Sequence, residues 1–308
     1  MAKKTTVISK RRAKRQINTL GIALIIYILL QSLFRFGASI LAEEYPQIFM
    51  GYDPELVTLC FTMFMMVFTA LVPFRICANK LDLDISDYMK NPKISLLRLI
   101  SLACIGIGLM LVVTAIPSIF YIMVRTNRMP FEFIGDFTTK NNILKNFIYF
   151  LLIVIVKPVL DEVIFRGIIQ RQLGHYGRYF GVLASSFLYA LSCMTISDAL
   201  PSFFFGWYLA AITLRYHSLR PGIFIHICTS LFSWSISVIP DTWILLPTVI
   251  IVIVYLIAAL TLFNRKVHIP MINAAAFSRK LWQILLSSWS VTVCMIMFAV
   301  NAVLSFFL

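Results

Sequence analysis

A short stretch in the middle of the chain places three ionisable side chains inside an apolar run. Asp161, Glu162 and Arg166 lie in a segment apolar enough to span a bilayer. A charged side chain at the centre of a membrane helix costs about 2.5–3.5 kcal/mol on insertion scales, so such residues usually pair and serve a function. A carboxylate in this setting has the chemistry of a general base that takes a proton from water.

The spacing predicts which of these side chains meet. On a helix, Glu162 and Arg166 are four residues apart and face each other, as do Lys157 and Asp161. The first pair has a purely structural interpretation, as an ion pair that neutralises two charges in lipid. Lys157 either pairs with Asp161 or extends toward the membrane interface. Pro158 removes one backbone hydrogen bond, so we expect the helix to kink or loosen there.

Two later apolar segments contain further polar residues. One contains Ser185, Ser186 and Cys193, and its small residues permit close helix packing. The other contains His226 and Ser230, which share one helix face. Each residue alone has a structural interpretation, as a small core residue or a hydrogen-bonded core imidazole. Together with the acidic pair, they indicate a polar site built from three helices.

The order and spacing of these residues resemble the CAAX prenyl endopeptidase and bacteriocin-processing (CPBP, or Abi) family of intramembrane proteases. The family's first motif, Glu-Glu-x-x-x-Arg, usually continues Phe-Arg-Gly, and residues 161–167 here read Asp-Glu-Val-Ile-Phe-Arg-Gly. The second motif, Phe-x-x-x-His after a Ser-Ser pair, corresponds to Tyr189 and Cys193. The third, His-x-x-x-Asn or Asp, corresponds to His226 and Ser230. The Phe-x-x-Gly helix that precedes the third motif corresponds to Phe203 and Gly206.

The resemblance implies a role for each position of the site. In the family, the glutamate at the position of Asp161 and the histidine at the position of Cys193 are thought to activate a water. The histidine and asparagine at the positions of His226 and Ser230 are thought to polarise the developing oxyanion. The better-supported family mechanism uses no metal, so no cofactor is expected. The bracing residues would be Glu162 and Arg166.

The chain departs from the family pattern at three of the four chemical positions. Asp161 is one methylene shorter than glutamate, and a misplacement of about 1 Å can cost on the order of 10²-fold in rate. Cys193 replaces histidine, and a thiol in apolar surroundings is a poor proton acceptor. Ser230 is a shorter donor than asparagine. The residues that brace the site persist, whereas those that activate water have changed.

Several functions are compatible with this pattern. The favoured one is a family member with weak or lost proteolytic activity, a membrane-embedded scaffold, immunity factor or regulator that binds a peptide or membrane protein. The alternative is an active intramembrane endopeptidase that processes a prenylated or leader peptide, with Asp161 as base and His226 as oxyanion donor. Altered chemistry is a third, either a cysteine hydrolase using Cys193 or a zinc site that adds Glu162. A transporter is disfavoured because the sequence lacks internal symmetry and paired, interrupted half-helices.

Composition places the site in a membrane protein. Hydrophobic residues make up 60% of the 308 residues and charged residues only 13%, and the mean hydropathy is +0.89. Because a span needs about 20 apolar residues, we expect an all-α bundle of about eight or nine transmembrane helices with a polar cavity inside the membrane. The candidate spans are Ile17–Leu41, Leu56–Phe74, Leu99–Val124, Ile143–Leu173, Tyr179–Ile196, Leu200–Leu214, Gly222–Ile239, Trp243–Phe263 and Leu281–Phe307.

The net charge of +14 could indicate a nucleic-acid partner, but the positive residues are distributed as in a membrane protein with a fixed orientation. No nucleic-acid partner is therefore expected. Basic residues concentrate in the tail 1–16 and in alternate connections, which predicts a cytoplasmic N-terminus. The first apolar run is too long for a signal peptide. We therefore expect one transmembrane domain over 17–308, with the family core at about 140–235. The expected surroundings are the bilayer of a cell membrane, and the resemblance favours a bacterial plasma membrane. The sequence leaves the oligomeric state open.

Overall fold

The chain is helical throughout the residues that the computed structural model describes, which are 10–49, 51–84, 86–123, 143–193, 195–238 and 277–307. These ranges contain no β-strand, in agreement with the predicted all-α class. Short 3-10 helices occupy Pro46–Phe49 and Ser86–Met89. The α-helices are α1 (Lys10–Glu44), α2 (Pro54–Lys80), α3 (Leu96–Met123), α4 (Ile143–Phe150), α5 (Lys157–Asp161), α6 (Arg171–Gly174), α7 (Arg178–Ser192), α8 (Ile196–Tyr216), α9 (Arg220–Val238), α10 (Arg279–Leu286) and α11 (Trp289–Phe307).

Among the described helices, three are long and apolar enough to cross a membrane. They are the segments Lys10–Phe34, Pro54–Lys80 and Leu96–Ile116. The pair α10 and α11 is a fourth candidate, with a bend of 72° at the short break between them. The count of about eight or nine spans stays a prediction. One of its candidates, Trp243–Phe263, lies outside the described residues.

The element that positions the site is a continuous helical segment over residues 143–174, called here the central rod. It comprises α4, a π-helix at Leu151–Val156, α5, a second π-helix at Glu162–Gln170, and α6. The first π-helix lies directly before Pro158, whose ring would clash with the carbonyl four residues back in a regular α-helix. The loosening that Pro158 predicts is therefore present, as a widened turn. Such π-helical turns occur frequently at functional sites.

Helices α7 and α8 pack against the second half of the central rod, and α9 packs against its middle. Ser185 and Ser186 are buried, and both hydroxyls donate to the carbonyl of Val182 within α7. A methyl group at Gly206 of α8 would lie 3.6 Å from the Ser186 Cα, so the two helices pack closely at this point. The small residues thus act as the sequence predicts. On the far side of α8, the Tyr208 hydroxyl donates to the Leu102 carbonyl of α3 at 2.6 Å.

One end of the bundle is held by the connection 81–95 between α2 and α3. Arg171 donates to the Asp84 carbonyl, and its guanidinium lies 4.8 Å from the centre of the Tyr88 ring. The Ser218 hydroxyl donates to the Lys90 carbonyl at 2.7 Å. Two basic connections that the charge pattern assigns to one side of the membrane therefore contact each other. That this side is the cytoplasm stays a prediction.

The opposite end is held by an ion-pair cluster. Lys145, near the start of the central rod, lies 2.6 Å from the Asp53 carboxylate and 2.5 Å from the Glu55 carboxylate at the start of α2. Asp53 also caps α2 by accepting from the backbone N–H of Glu55 at 3.0 Å. This cluster fixes the first turn of α2 against the first turn of the rod.

The ninth candidate span, Leu281–Phe307, is divided between two helices that meet at a bend. Helix α10 ends at Leu286, and α11 starts at Trp289. The backbone N–H and hydroxyl of Ser290 donate to the Asn18 side-chain oxygen of α1, at 3.4 Å and 3.0 Å. Asn18 thereby satisfies backbone and hydroxyl groups at the start of α11, where the break leaves N–H groups without partners in the helix itself.

Replacing Gly21 by alanine should destabilise the protein, because the new methyl carbon would lie 2.2 Å from the Ser290 hydroxyl oxygen. Overpacking of this kind costs about 1–3 kcal/mol. Gly37 is the matched control on the same helix, since an added Cβ there meets nothing within 4 Å. Gly37→Ala should stabilise by up to about 1 kcal/mol through helix propensity. Thermal unfolding in detergent measures both variants, and equal melting temperatures would contradict the close contact.

The ion-pair cluster should give a pH-dependent contribution to stability. The hydrogen bond from Lys145 lowers the pKa of the exposed Asp53 carboxyl below its ordinary value of 3.8, with help from two backbone N–H groups. A carboxyl whose pKa is lowered by folding adds stability above its unfolded pKa and loses it as pH falls through the folded value. Lys145→Met should therefore lower the melting temperature at neutral pH, and the difference from wild type should shrink below about pH 3.8. A pH-independent difference would show that Lys145 acts through packing alone.

Candidate functional site

Three buried side chains from the central rod and α9 form an ionic group, called here the buried triad. Glu162 Oε1 lies 3.0 Å from Arg166 Nη1 and 3.0 Å from His226 Nδ1. The side chains of Glu162, Arg166 and His226 are 0%, 1% and 7% exposed. The predicted pairing of Glu162 with Arg166 is confirmed, as an ion pair rather than an aligned hydrogen bond. The carboxylate also orients the imidazole ring of His226.

Two glycines allow the triad to lie against its neighbours. Arg166 Nη2 donates to the Gly206 carbonyl at 3.1 Å, and a Cβ at Gly206 would lie 3.1 Å from the same nitrogen. On α9, a Cβ at Gly222 would lie 2.9 Å from Glu162 Oε2. Side chains larger than hydrogen at these positions would push α8 and α9 away from the rod. Gly206 belongs to the Phe-x-x-Gly pattern, whereas the motifs did not single out Gly222.

Asp161 lies beside Glu162 but contacts different helices. Its Oδ2 accepts from Lys157 Nζ at 2.8 Å and from the Tyr189 hydroxyl at 3.3 Å. The Asp161 side chain is 3% exposed, whereas the Lys157 side chain is 42% exposed. Of the two alternatives for Lys157, the structure shows the ion pair with Asp161. This ion pair belongs to a second polar group, called here the aspartate cluster. Its members are Tyr27, Lys157, Asp161, Tyr189, Cys193 and Ser202.

Cys193 belongs to the aspartate cluster without bonding the carboxylate. It is the half-buried residue that follows the last turn of α7, and its Sγ lies 3.0 Å from the Ser202 hydroxyl oxygen and 3.5 Å from the Tyr189 carbonyl oxygen. Its thiol thus contacts α8, whereas His226 of α9 pairs with Glu162. Neither contact pairs the thiol with an imidazole, as a cysteine hydrolase requires. Among the described residues, no group of three or more His, Cys, Asp or Glu side chains is placed to hold a metal.

Tyr189 joins the two groups. Its hydroxyl binds Asp161, while its ring lies 4.8 Å from the Arg166 guanidinium carbon. The same ring packs against Phe165 with centroids 4.7 Å apart. A cation above an aromatic ring is attracted by the electrons of the ring face. Tyr189 therefore contacts one charged residue of each group.

Sequence reasoning missed two members of the aspartate cluster. Tyr27 of α1 is close enough to Lys157, Asp161 and Cys193 to interact with them electrostatically. No motif connects the first helix with the rod, so no sequence signal marks Tyr27. Ser202 directly precedes the Phe-x-x-Gly pattern, and only its contact with Cys193 identifies it.

Ser230, the remaining residue singled out by the motifs, lies at the edge of the site. It is half-buried on α9, one turn beyond His226. Neither the ion pairs of the buried triad nor the hydrogen bonds of the aspartate cluster involve it. Its predicted role beside an oxyanion stays a prediction.

Removing one member of the buried triad should destabilise the fold strongly. In Glu162→Ala, the Arg166 guanidinium would stay buried without a counter-charge, which costs about 3–5 kcal/mol in comparable pairs. The double variant Glu162→Leu, Arg166→Met removes both charges and should recover much of that loss. The folded fraction and melting temperature in detergent measure the effect, with Glu44→Ala at an exposed position of α1 as control. A double variant as unstable as the single one would contradict this explanation.

Residues 143–232 match the model of the Rce1-like family of type II CAAX prenyl endopeptidases. Comparison with curated proteins gives no match, and comparison with solved structures gives none either. The matched segment runs from α4 to α9 and includes both the motif positions and most of the aspartate cluster. Over residues 143–232 this chain is therefore similar to the Rce1-like type II CAAX prenyl endopeptidases, which confirms the resemblance predicted from its motifs.

Proposed function

We propose that this membrane protein uses the site within residues 143–232 to bind a polypeptide segment, and that its proteolytic activity is weak or lost. It would act as a membrane-embedded scaffold, immunity factor or regulator. The similarity to an endopeptidase family supports a polypeptide as the bound partner. The contacts of Asp161 support the loss of hydrolysis.

The fixed position of Asp161 is the observation that supports this function most directly. Asp161 Oδ2 accepts from the Lys157 ammonium at 2.8 Å and from the Tyr189 hydroxyl at 3.3 Å. These two contacts restrict the orientation of the carboxylate and leave its other oxygen, Oδ1, in one fixed position. A general base must lie within hydrogen-bond reach of the water that it activates, and a side chain one methylene shorter than glutamate and held in this way has little freedom to reach it.

The histidine that the family is thought to use for water activation is also missing beside Asp161. Cys193 stands at the motif position of the histidine, and its thiol lies within hydrogen-bond reach of the Ser202 hydroxyl and of the Tyr189 carbonyl. A thiol at this position supplies no basic nitrogen for a second proton transfer. The imidazole of His226 is held by Glu162, so it does not compensate from α9.

The surroundings of Lys157 support binding at this place. Its side chain is 42% exposed, although its neighbour Asp161 is buried. The Lys157 ammonium therefore reaches the surface of the bundle near the middle of the central rod. An ionisable residue at such a depth marks a functional site by default.

A cleavage assay tests this function. We expect purified protein in lipid nanodiscs to bind a fluorescent prenylated peptide with a C-terminal CAAX sequence and to leave it intact. Asp161→Leu combined with Lys157→Met removes the ion pair while keeping the charge balanced. This double variant should differ from the wild type in its affinity for the peptide, and like the wild type it should leave the peptide uncleaved. Tyr189→Phe tests the hydroxyl contact and restores the family residue type at that position.

Cleavage by the wild type that disappears in His226→Ala would contradict the proposal and favour the active endopeptidase. Ser233→Ala serves as the matched control, because its hydroxyl bonds only within α9, to the Thr229 carbonyl at 3.1 Å. A second substrate with a leader-peptide sequence extends the test beyond prenylated peptides.

A further inference from the structure

One edge of the bundle brings the start of α1, the turn before α7 and helix α10 together. The Tyr176 hydroxyl donates to the Gln16 side-chain oxygen, which joins the turn to α1. A Cβ at Gly177 would lie 3.7 Å from a methyl carbon of Leu281, so the turn also contacts α10. Helices α1 and α10 contact each other as well. The three elements therefore form one continuous surface.

The charges of this surface are all of one sign. Residues 10–24, 171–180 and 277–290 contain no aspartate and no glutamate. In the part of the chain that the structure describes, Arg15, Arg178, Arg279 and Lys280 belong to no ion pair. A cationic surface without counter-charges attracts anions. Six exposed cations of these elements are called here the basic edge: Arg11, Arg12, Arg15, Arg178, Arg279 and Lys280.

The basic edge lies at the boundary between the polar and the apolar parts of α1. The helix carries cations up to Arg15, and residues 16–34 are then uncharged and long enough to cross a membrane. Because basic residues collect beside the ends of a spanning segment, this boundary marks the level of the lipid headgroups. The start of α11 lies at the same level, since the Ser290 hydroxyl donates to the Asn18 side chain at 3.0 Å.

Helix α10 has the orientation of a helix at a membrane surface. It is bent by 72° from α11, so the two helices cannot both follow the membrane normal. Since α11 is the longer and more apolar of the two, α10 is the one that lies close to the membrane plane. Cations flanked by apolar and aromatic side chains are typical of helices that bind the bilayer interface. The exposed apolar side chains beside Arg279 and Lys280 are Phe277, Leu286 and Trp289.

We propose that the basic edge binds the phosphate groups of anionic phospholipids. The cations contact the headgroup phosphates, and the exposed apolar side chains of α10 and the break after it contact the first carbons of the acyl chains. A nucleic acid would satisfy the cations but not these apolar side chains. The interaction goes beyond polypeptide binding near Asp161 and does not depend on it.

Native mass spectrometry of the full chain in detergent tests this interaction. The two probes are phosphatidylglycerol, which is anionic, and phosphatidylcholine with the same acyl chains, which carries no net charge. The wild type should bind phosphatidylglycerol more tightly. Lys280→Gln and Arg279→Gln should each weaken that binding about 5-fold, because each removes one cation from the headgroup level. Binding of phosphatidylcholine should not change, and Lys280→Arg should keep the affinity of the wild type.

Lys93→Gln is the matched control, because it also removes one exposed lysine and lowers the net charge by the same amount. Its neighbour Ile94 packs with residues of α3 and α8, whereas Leu281 of α10 packs with residues of α1 and α7. The control therefore lies outside the basic edge. All of these side chains are exposed, so each variant should melt at the temperature of the wild type, which thermal unfolding in the same detergent verifies.

The outcomes separate a lipid site from a general effect of charge. A loss in the α10 variants that Lys93→Gln does not share supports the site. Equal losses in Lys280→Gln and Lys93→Gln would overturn it, because net charge alone would then attract the lipid. Equal affinity of the wild type for the two lipids would overturn it as well. Displacement of phosphatidylglycerol by an equal concentration of glycerol 3-phosphate would show that the ligand is a soluble anion and contradict a lipid site.

Discussion

The buried ion pair between Glu162 and Arg166 is the constraint on which the rest of the site depends. Neither residue has water to solvate its charge, and a charge buried alone would be strongly destabilising. The two must therefore stay within contact distance, at 3.0 Å between Oε1 and Nη1. Arg166 also binds the Gly206 carbonyl of α8, and Glu162 binds His226 of α9. One pair thus fixes three elements relative to one another.

Charge balance extends to the neighbouring residues. Asp161 and Lys157 form a second pair on the adjacent turn, so each carboxylate has its own cation. The family's pattern places two carboxylates and one arginine in this motif. By holding one of its carboxylates with Lys157, the chain arrives at a site without a free charge.

The sequence predicted the local part of this arrangement well. Four-residue spacing predicted the Glu162–Arg166 pair and offered the Lys157–Asp161 pair as one of two alternatives, because such contacts depend only on helix geometry. Pro158 predicted the loosened turn, since its ring and missing N–H act within one helix. The family motifs predicted that Cys193 and His226 belong to one site, whereas in the structure Cys193 contacts Ser202 and His226 contacts Glu162.

What the sequence could not predict depends on contacts between distant elements. Tyr27 reaches the aspartate cluster from α1, and hydropathy shows only that its helix is apolar. Ser202 contacts the Cys193 thiol across the turn between α7 and α8. A contact of this kind leaves no periodic pattern in the sequence. The break between α10 and α11 lies inside one apolar run, so composition alone gives no sign of the bend that Asn18 and Ser290 stabilise.

The connection 81–95 holds one end of the bundle through its backbone carbonyls. They accept from Arg171 at the end of the central rod and from the adjacent Ser218 hydroxyl and Leu219 N–H, so two separate parts of the chain are held by one loop. At the other end, Lys145 joins the rod to the start of α2, and Leu59 of α2 packs against the rod nearby. The rod is therefore anchored to its neighbours near both of its ends, so a movement that separates it from α2 would have to break contacts at each end.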